Sequence, residues 1–226
     1  MIRAVVFDVG ETLVDETRSW AGWADHMGVP HFTFFAAMGI VVARGWHHRQ
    51  VFELVRPGFD LEAASAERKA AGWTYHFKDS AFYPDALPCL KDLRARGMII
   101  GLAGNQPEDA ESALAALGVP ASFIASSAGW GVEKPSPLFF EKVAHAAGVP
   151  AHEIAYVGDR LDNDVGPAAR AGMTPVFIRR GPWGLAHADD SAMPEAAARI
   201  ESLAELPAAL NLSGNPPSGP REDRRT

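Results

Sequence analysis

The stretch VVFDVGETLVDE, Val5 to Glu16, places one acid where two would be more useful. Ala4 to Phe7 form a short apolar run, which predicts a buried strand that delivers Asp8 to the edge of a sheet. The position two residues later, on the same side of the chain, is Gly10, which has no side chain. The stretch therefore predicts a site built around Asp8, with an empty place beside it.

Composition and charge exclude several classes of protein. The chain has 226 residues, of which 47% are hydrophobic and 22% charged, which is typical of a globular protein with a full core and room for one extra module. A formal net charge of −7 argues against binding nucleic acid through a basic face. The single cysteine, Cys89, cannot form an internal disulfide, and no apolar run approaches the roughly 20 residues that span a bilayer. We expect a cytoplasmic protein with no membrane partner, and its oligomeric state is not predicted.

The tract after the first strand has helical spacing and no convincing strand. Gly and Pro residues divide it into four segments. The predicted helices are Arg18 to Met27, Phe32 to Arg44, His48 to Val55 and Leu61 to Gly72. We expect residues 17–82 to form an all-helical cap inserted into the rest of the chain.

From Pro84 onward helices and strands alternate, a pattern that indicates a parallel sheet covered on both faces. The predicted strands are Met98 to Ala103, Phe123 to Ser126, Ile154 to Val157, Pro175 to Ile178 and a short one near Arg199. The predicted helices are Asp85 to Arg96, Pro107 to Leu117, Pro137 to Ala147, Asp164 to Ala171 and Leu203 to Leu210. Residues 1–16 and 83–210 are expected to form an α/β core domain, and residues 211–226 a disordered tail.

Polar residues follow four of the predicted strands. Ligands of open α/β sheets bind beyond the carboxyl ends of the strands, so these residues are expected to converge. They are Asp8, Gly104-Asn105, Glu133-Lys134-Pro135 and the run from Gly158-Asp159 to Asp164. The sequence therefore brings carboxylates, an amide and an ammonium to one edge of the sheet.

This order of motifs resembles the haloacid dehalogenase superfamily, whose hydrolases carry a nucleophilic Asp, a Ser/Thr-Asn, a Lys and GDxxxxD in that order. The resemblance spans Val5 to Met173, and superfamily members of the C1 type insert their cap where residues 17–82 lie. It implies a Rossmann-like three-layer parallel sheet with a helical cap. It also implies a hydrolase, most often a Mg²⁺-dependent phosphatase acting on a small phosphorylated metabolite.

The expected metal site follows from the chemistry of Mg²⁺, which prefers oxygen ligands and usually takes one or two carboxylates. Asp8 and Asp159 are the obvious carboxylates, and the resemblance adds the backbone carbonyl of Gly10. Asp164 is expected either as a further ligand or as an outer acceptor that orients waters or Lys134. A helix-cap role is an equally good interpretation of Asp164, because Asp is a favoured N-cap residue.

The resemblance also implies roles around the phosphate. Asp8 attacks phosphorus, Lys134 bridges Asp8 and the phosphate, and Gly104 and Asn105 hold the phosphate oxygens. Lys134 could instead be an exposed surface charge. Arg160 could contact an anionic substrate, or it could form a surface ion pair with Asp162, an interpretation at least as good.

Two positions depart from the superfamily pattern. Where Gly10 stands, phosphatases of the superfamily usually have a second Asp that protonates the leaving oxygen, a task typically worth about 10²- to 10⁴-fold in rate. Where Gly104 stands, a hydroxyl residue is usual. Metal binding through the Gly10 carbonyl would survive, whereas proton transfer would be absent or would come from Glu11, a cap side chain or water.

Three functions are compatible with these residues. The first is a Mg²⁺-dependent phosphatase, which the two metal-type carboxylates at residues 159 and 164 favour. Without an acid at position 10 we expect its activity to be low towards alkyl esters, or specialised for substrates with good leaving groups such as acyl phosphates. The second is a phosphate-binding or interaction protein that has lost turnover. The third is a 2-haloacid dehalogenase, which needs neither a metal nor the second acid and so makes no use of those carboxylates.

Overall fold

The computed structural model describes residues 1–73, 81–188 and 196–212. Six strands form one parallel sheet in the order β3-β2-β1-β4-β5-β6. They are β1 (Ala4–Phe7), β2 (Ile99–Gly104), β3 (Phe123–Ser126), β4 (Ile154–Gly158), β5 (Thr174–Ile178) and β6 (Ala198–Ile200). The predicted α/β class and all six predicted strands are confirmed. The predicted tail beyond Leu212 lies outside the described residues.

The first strand lies at the centre of the sheet, between β2 and β4. Because successive side chains of a strand point to opposite faces, β1 contributes to two separate cores. Val5 and Phe7 pack in one of them, with Cys89 among its buried residues. Ala4 and Val6 pack in the other. All four residues of β1 are fully buried, which explains its unbroken apolar sequence.

Helices cover both faces of the sheet and fill the tract after β1. They are α1 (Thr17–Met27), α2 (His31–Ala43), α3 (Gln50–Val55), α4 (Leu61–Ala70), α5 (Ala86–Ala95), α6 (Asp109–Ala116), α7 (Ser127–Trp130), α8 (Pro137–Ala147), α9 (Gly166–Arg170), α10 (Gly181–His187) and α11 (Leu206–Ala209). A π-helical turn, Leu161–Val165, leads into α9, and a 3-10 turn, Leu203–Glu205, leads into α11. The sequence did not predict α7 and α10, which are four and seven residues long.

Helices α1 to α4 share a hydrophobic cluster of their own, in which Phe34, Val41 and Val51 are fully buried. None of the described residues between 17 and 73 belongs to a strand of the sheet. Trp183 of α10 also packs into this cluster. Within the described ranges no single helix is both long and apolar enough to cross a membrane; α1 and α2 pass that test only together, as a pair bent by 115°.

The two segments that join these helices to the sheet lie side by side. The backbone N–H of Asp15 donates to the carbonyl of Ala81, and that of Tyr83 donates to Leu13. Entry to and exit from the helical tract are therefore tied together just beyond β1. This pairing fixes the loop that follows Asp8.

A polar network attaches the C-terminal segment to the same region. Arg180 donates to Asp85 at 2.5 Å and to the carbonyl of Thr12 at 2.9 Å, and its guanidinium lies 4.2 Å from the centre of the Tyr83 ring. Asp85 also accepts from the hydroxyl of Ser202. Burial opposes the charge of Asp85, but these hydrogen bonds outweigh it, so the pKa of Asp85 is lowered below its usual value.

We expect Asp85→Ala to reduce the free energy of unfolding by about 2 kcal/mol, because it leaves Arg180 without its charged acceptor. Asp92→Ala is the matched control: it removes a carboxylate from a half-exposed helical pair with Arg96, so it should cost about 0.5 kcal/mol or less. Denaturant unfolding measures both. Because the pKa of Asp85 is lowered, its contribution should disappear as the pH falls through that pKa. Equal losses in the two variants would contradict this interpretation.

Candidate active site

Three buried carboxylates meet at the carboxyl edge of the sheet. Asp8 follows β1 and Asp159 follows β4, the two adjacent central strands, while Asp164 lies in the π-helical turn beyond β4. One oxygen from each of the three lies within 4.8 Å of the others. The three carboxylates are 7%, 2% and 0% exposed, so water screens their mutual repulsion very little.

The ammonium of Lys134 lies between two of these carboxylates. Its Nζ is 2.7 Å from Oδ1 of Asp8 and 2.6 Å from Oδ1 of Asp164. Burial alone would lower the pKa of Lys134, but Asp164 and Asp8 raise it well above its usual value. The structure therefore places Lys134 in the interior as a fixed cation, in contact with Asp8, rather than on the surface.

Two residues hold this lysine in place. The side chain of Asn105 donates to the Lys134 carbonyl at 3.0 Å and accepts from the Lys134 N–H at 2.8 Å. The Lys134 ammonium lies 5.8 Å from the centre of the Tyr156 ring. The Tyr156 hydroxyl donates a hydrogen bond to the carbonyl of Ala103. Asn105 was predicted from its motif. Tyr156 was missed, because the apolar sequence of a buried strand does not indicate that one of its rings faces an ammonium.

Two strand-end glycines open the space that the carboxylates occupy. A Cβ at Gly104 would lie 2.4 Å from Oδ1 of Asp8, and one at Gly158 would lie 2.3 Å from the carboxyl carbon of Asp164. Real Cβ atoms essentially never approach other atoms this closely. Gly104 therefore does more than lack a hydroxyl, because a serine there would require the carboxylate of Asp8 to shift from its present position.

Charge at this edge is unbalanced without a further cation. Three carboxylates face one ammonium, and Oδ2 of Asp159 is buried without a hydrogen-bond partner. Burial, followed by the charges of Asp164 and Asp8, raises the pKa of Asp159 well above its usual value. A buried, unpartnered carboxylate oxygen is costly, and hard oxygen donors in a cluster suit Mg²⁺. The residues present fit such an ion.

Asp164 and Arg160, in the segment after β4, have defined partners. Asp164 does not cap a helix: its Oδ2 accepts from the backbone N–H of Arg160 and its Oδ1 accepts from Lys134. Arg160 forms the ion pair with Asp162, at 3.0 and 2.6 Å. The Arg160 guanidinium also lies 4.9 Å from the centre of the Trp183 ring.

The loop after Asp8 contains two acids with different surroundings. Glu11 has a φ of 54°, and its carboxylate accepts from the Tyr83 hydroxyl at 2.6 Å and from the backbone N–H of Glu16 at 2.9 Å. The carboxylate of Glu16 instead folds back onto Gly10. Sequence reasoning missed Glu16, because only the folding of this loop brings together residues that are six positions apart.

Comparisons with known proteins agree with this architecture. The model for the haloacid dehalogenase-like hydrolase family matches residues 2–172. The glyceraldehyde 3-phosphate phosphatase of Methanopyrus kandleri is 36% identical over 208 residues, which cover 81% of this chain and 86% of that protein.

Solved structures show the same fold. A HAD phosphatase from Thermococcus onnurineus is 23% identical with a TM-score of 0.61, covering 95% of this chain and 100% of the other. An L-2-haloacid dehalogenase from Xanthobacter autotrophicus is 19% identical with a TM-score of 0.65 and the same coverage. At these identities the likeness concerns the fold alone.

We expect Asp159→Asn to raise the free energy of unfolding of the metal-free protein by about 0.5–2 kcal/mol, because it removes a buried charge that the fold does not neutralise. A raised pKa means that the wild-type carboxyl takes up a proton as the pH falls, so the advantage of the variant should shrink in acid. Denaturant unfolding with a chelator, at about pH 8 and about pH 5, measures both effects. A variant less stable than wild type at the higher pH would contradict this view of Asp159.

Proposed function

We propose that this chain, which belongs to the haloacid dehalogenase-like hydrolases, is a Mg²⁺-dependent phosphatase that acts on a small phosphorylated metabolite through a phosphorylated Asp8. One observation carries the proposal: Asp8 contacts a buried ammonium beside a cluster of carboxylates that fits a divalent cation. The similarity to a glyceraldehyde 3-phosphate phosphatase over four-fifths of the chain supports the substrate class.

The role of Asp8 follows from charge. A phosphate ester repels an anionic nucleophile, so a carboxylate can attack phosphorus only where nearby cations neutralise both. Lys134 supplies one such charge at 2.7 Å from Asp8. Because Lys134 is buried, water screens its charge very little. Asn105 fixes the backbone of Lys134, so the ammonium holds its position while Asp8 reacts.

We propose that Asp8, Asp159, Asp164 and the carbonyl of Gly10 hold the Mg²⁺. When bound, the ion neutralises the excess negative charge of the cluster and polarises the phosphate. The unpartnered Oδ2 of Asp159 is the donor with most to gain from such an ion. Asp164 is already bonded to Lys134 through Oδ1, so it serves equally to fix the lysine.

Phosphate binding is proposed at Gly104 and Asn105. An Asn side chain has two N–H donors, and the structure shows one bond from Nδ2 of Asn105, to the Lys134 carbonyl. One N–H is therefore available for a phosphate oxygen. At residue 104 the absent side chain leaves room for the carboxylate of Asp8, so a phosphate that Asp8 attacks would be brought close to the backbone of Gly104.

We also propose that residues 17–82 act as a cap over this site, with 1–16 and 83–210 as the core. The support is that α1 to α4 follow β1 directly, share one hydrophobic cluster and are joined to the sheet by two paired segments. Selectivity for the metabolite would then come from side chains of this tract. Residues 74–80, next to the second join, lie outside the described residues.

The experiment is a hydrolysis screen of phosphorylated metabolites, beginning with glyceraldehyde 3-phosphate, with and without Mg²⁺. Phosphate release that requires Mg²⁺ and is lost in Asp8→Asn supports the phosphatase. Chloride release from 2-chloropropionate without Mg²⁺ would support a dehalogenase instead. Mg²⁺ and phosphate binding with no turnover of any substrate would support the non-catalytic alternative.

Calorimetry tests the metal ligands directly. We expect wild-type protein to bind Mg²⁺ and Asp159→Asn to lose that binding while staying folded. Asp162→Asn is the matched control: it removes an exposed carboxylate three residues further along, paired with Arg160, and should still bind the ion. Unchanged Mg²⁺ affinity in Asp159→Asn would show that the proposed site is wrong.

A further inference from the structure

The carboxylate of Glu16 lies in the space that a side chain at position 10 would fill. A Cβ built on Gly10 would lie 2.7 Å from both the carboxyl carbon and Oε1 of Glu16, and 3.1 Å from Oε2. The carboxylate of an aspartate begins one C–C bond, about 1.5 Å, from its own Cβ. The carboxylate of Glu16 therefore fills the place of a side chain at position 10, where the chain itself has glycine.

We propose that Glu16 is the general acid and base of the reaction, an inference that rests on the phosphatase function proposed above. In the first step Asp8 attacks phosphorus, the ester P–O bond breaks and the Glu16 carboxyl gives its proton to the leaving oxygen. In the second step water attacks the phosphorylated Asp8, its proton passes to Glu16 and the bond between phosphorus and Asp8 breaks. Inorganic phosphate leaves and both side chains regain their starting forms.

Contacts of the neighbouring acids point away from this task. Both oxygens of Glu11 accept hydrogen bonds, from the Tyr83 hydroxyl and the Glu16 backbone, and the Glu11 side chain packs against Gly181. Asp159 and Asp164 belong to the cluster around Lys134. Among the acids described near Asp8, Glu16 is the one whose carboxylate lies against Gly10.

The fold holds Glu16 in this position from two sides. Its backbone N–H donates to Glu11, and its carbonyl accepts from Trp20 in the first turn of α1. Its Oε1 accepts a long hydrogen bond of 3.5 Å from Gln106, a buried side chain that follows Asn105 after β2. Glu16 thus connects the start of the helical tract with two strand ends of the site.

Backbone geometry allows a test in which the carboxylate is moved from position 16 to position 10. The φ of Gly10 lies outside the left-handed range, so its backbone accepts a side chain. In Gly10→Asp the new Cβ would displace the carboxylate of Glu16, which is the end of a flexible side chain. In Gly10→Asp/Glu16→Ala that space is free for the new carboxylate. An aspartate at position 10 should therefore help only when Glu16 has been removed.

The test compares glyceraldehyde 3-phosphate, which has an alkoxide leaving group, with p-nitrophenyl phosphate, whose leaving group needs little protonation. We expect Glu16→Gln to lower turnover of the alkyl phosphate by about 10²- to 10⁴-fold. With p-nitrophenyl phosphate it should release about one equivalent of nitrophenolate in a rapid burst and then turn over slowly, because the second step lacks its base. Gly10→Asp/Glu16→Ala should recover at least about tenfold over Glu16→Ala on the alkyl phosphate.

Two controls separate the roles. Asp15→Asn removes an exposed carboxylate next to Glu16 and should leave both activities near wild type. Calorimetry and thermal unfolding should show that Glu16→Gln still binds Mg²⁺ and stays folded, and Glu16→Ala gives a second variant for the same comparison. These readouts distinguish loss of a proton donor from loss of structure.

Results that overturn the proposal are distinct from those that overturn the phosphatase function. Absence of wild-type hydrolysis with Mg²⁺, both of p-nitrophenyl phosphate and of every metabolite in the screen, would remove the phosphatase function itself. Wild-type hydrolysis of p-nitrophenyl phosphate with no hydrolysis of any alkyl phosphate in the screen would show that no acid serves an alkyl ester, and so would exclude Glu16. Turnover of the alkyl phosphate by Glu16→Gln at the wild-type rate, or equal slowing on both substrates without a burst, would also exclude Glu16.

Discussion

The ammonium of Lys134, buried between Asp8 and Asp164, is the interaction on which this site depends. Adjacent strand ends bring carboxylates so close that they would repel one another strongly in an interior that water hardly reaches. Lys134 relieves part of this repulsion and orients Asp8. The surrounding residues serve that contact: Asn105 fixes the lysine backbone, and Gly104 leaves room for the carboxylate.

The same cluster of carboxylates destabilises the folded protein, so other parts of the fold must supply its stability. One ammonium does not neutralise three carboxylates, and the unpartnered oxygen of Asp159 is the clearest sign of the remaining imbalance. Such an imbalance is typical of sites that bind a cation. Stability comes from elsewhere, including two apolar cores on the faces of the sheet and the network around Arg180 and Asp85.

Much of this arrangement could be predicted from the sequence, because its signals are local. Apolar runs predicted the six strands. Because ligands of open α/β sheets bind at the carboxyl ends of the strands, the sequence also predicted that Asp8, Lys134 and Asp159 lie close together. The position of Glu16 could not be predicted, because it depends on the left-handed turn at Glu11 and on the pairing of the two joining segments. These are tertiary features, and no periodicity in the sequence reports them. The close approach of Gly104 to Asp8 was missed for the same reason.

We propose above that Asp8, held by Lys134, becomes phosphorylated during turnover. Rapid acid quenching of wild-type protein mixed with p-nitrophenyl phosphate and Mg²⁺, followed by mass spectrometry of its peptides, tests this most directly. We expect one phosphoryl group on the peptide that contains Asp8 and none on Asp8→Asn protein. Turnover with the label on another residue, or with no label at any quench time, would contradict it.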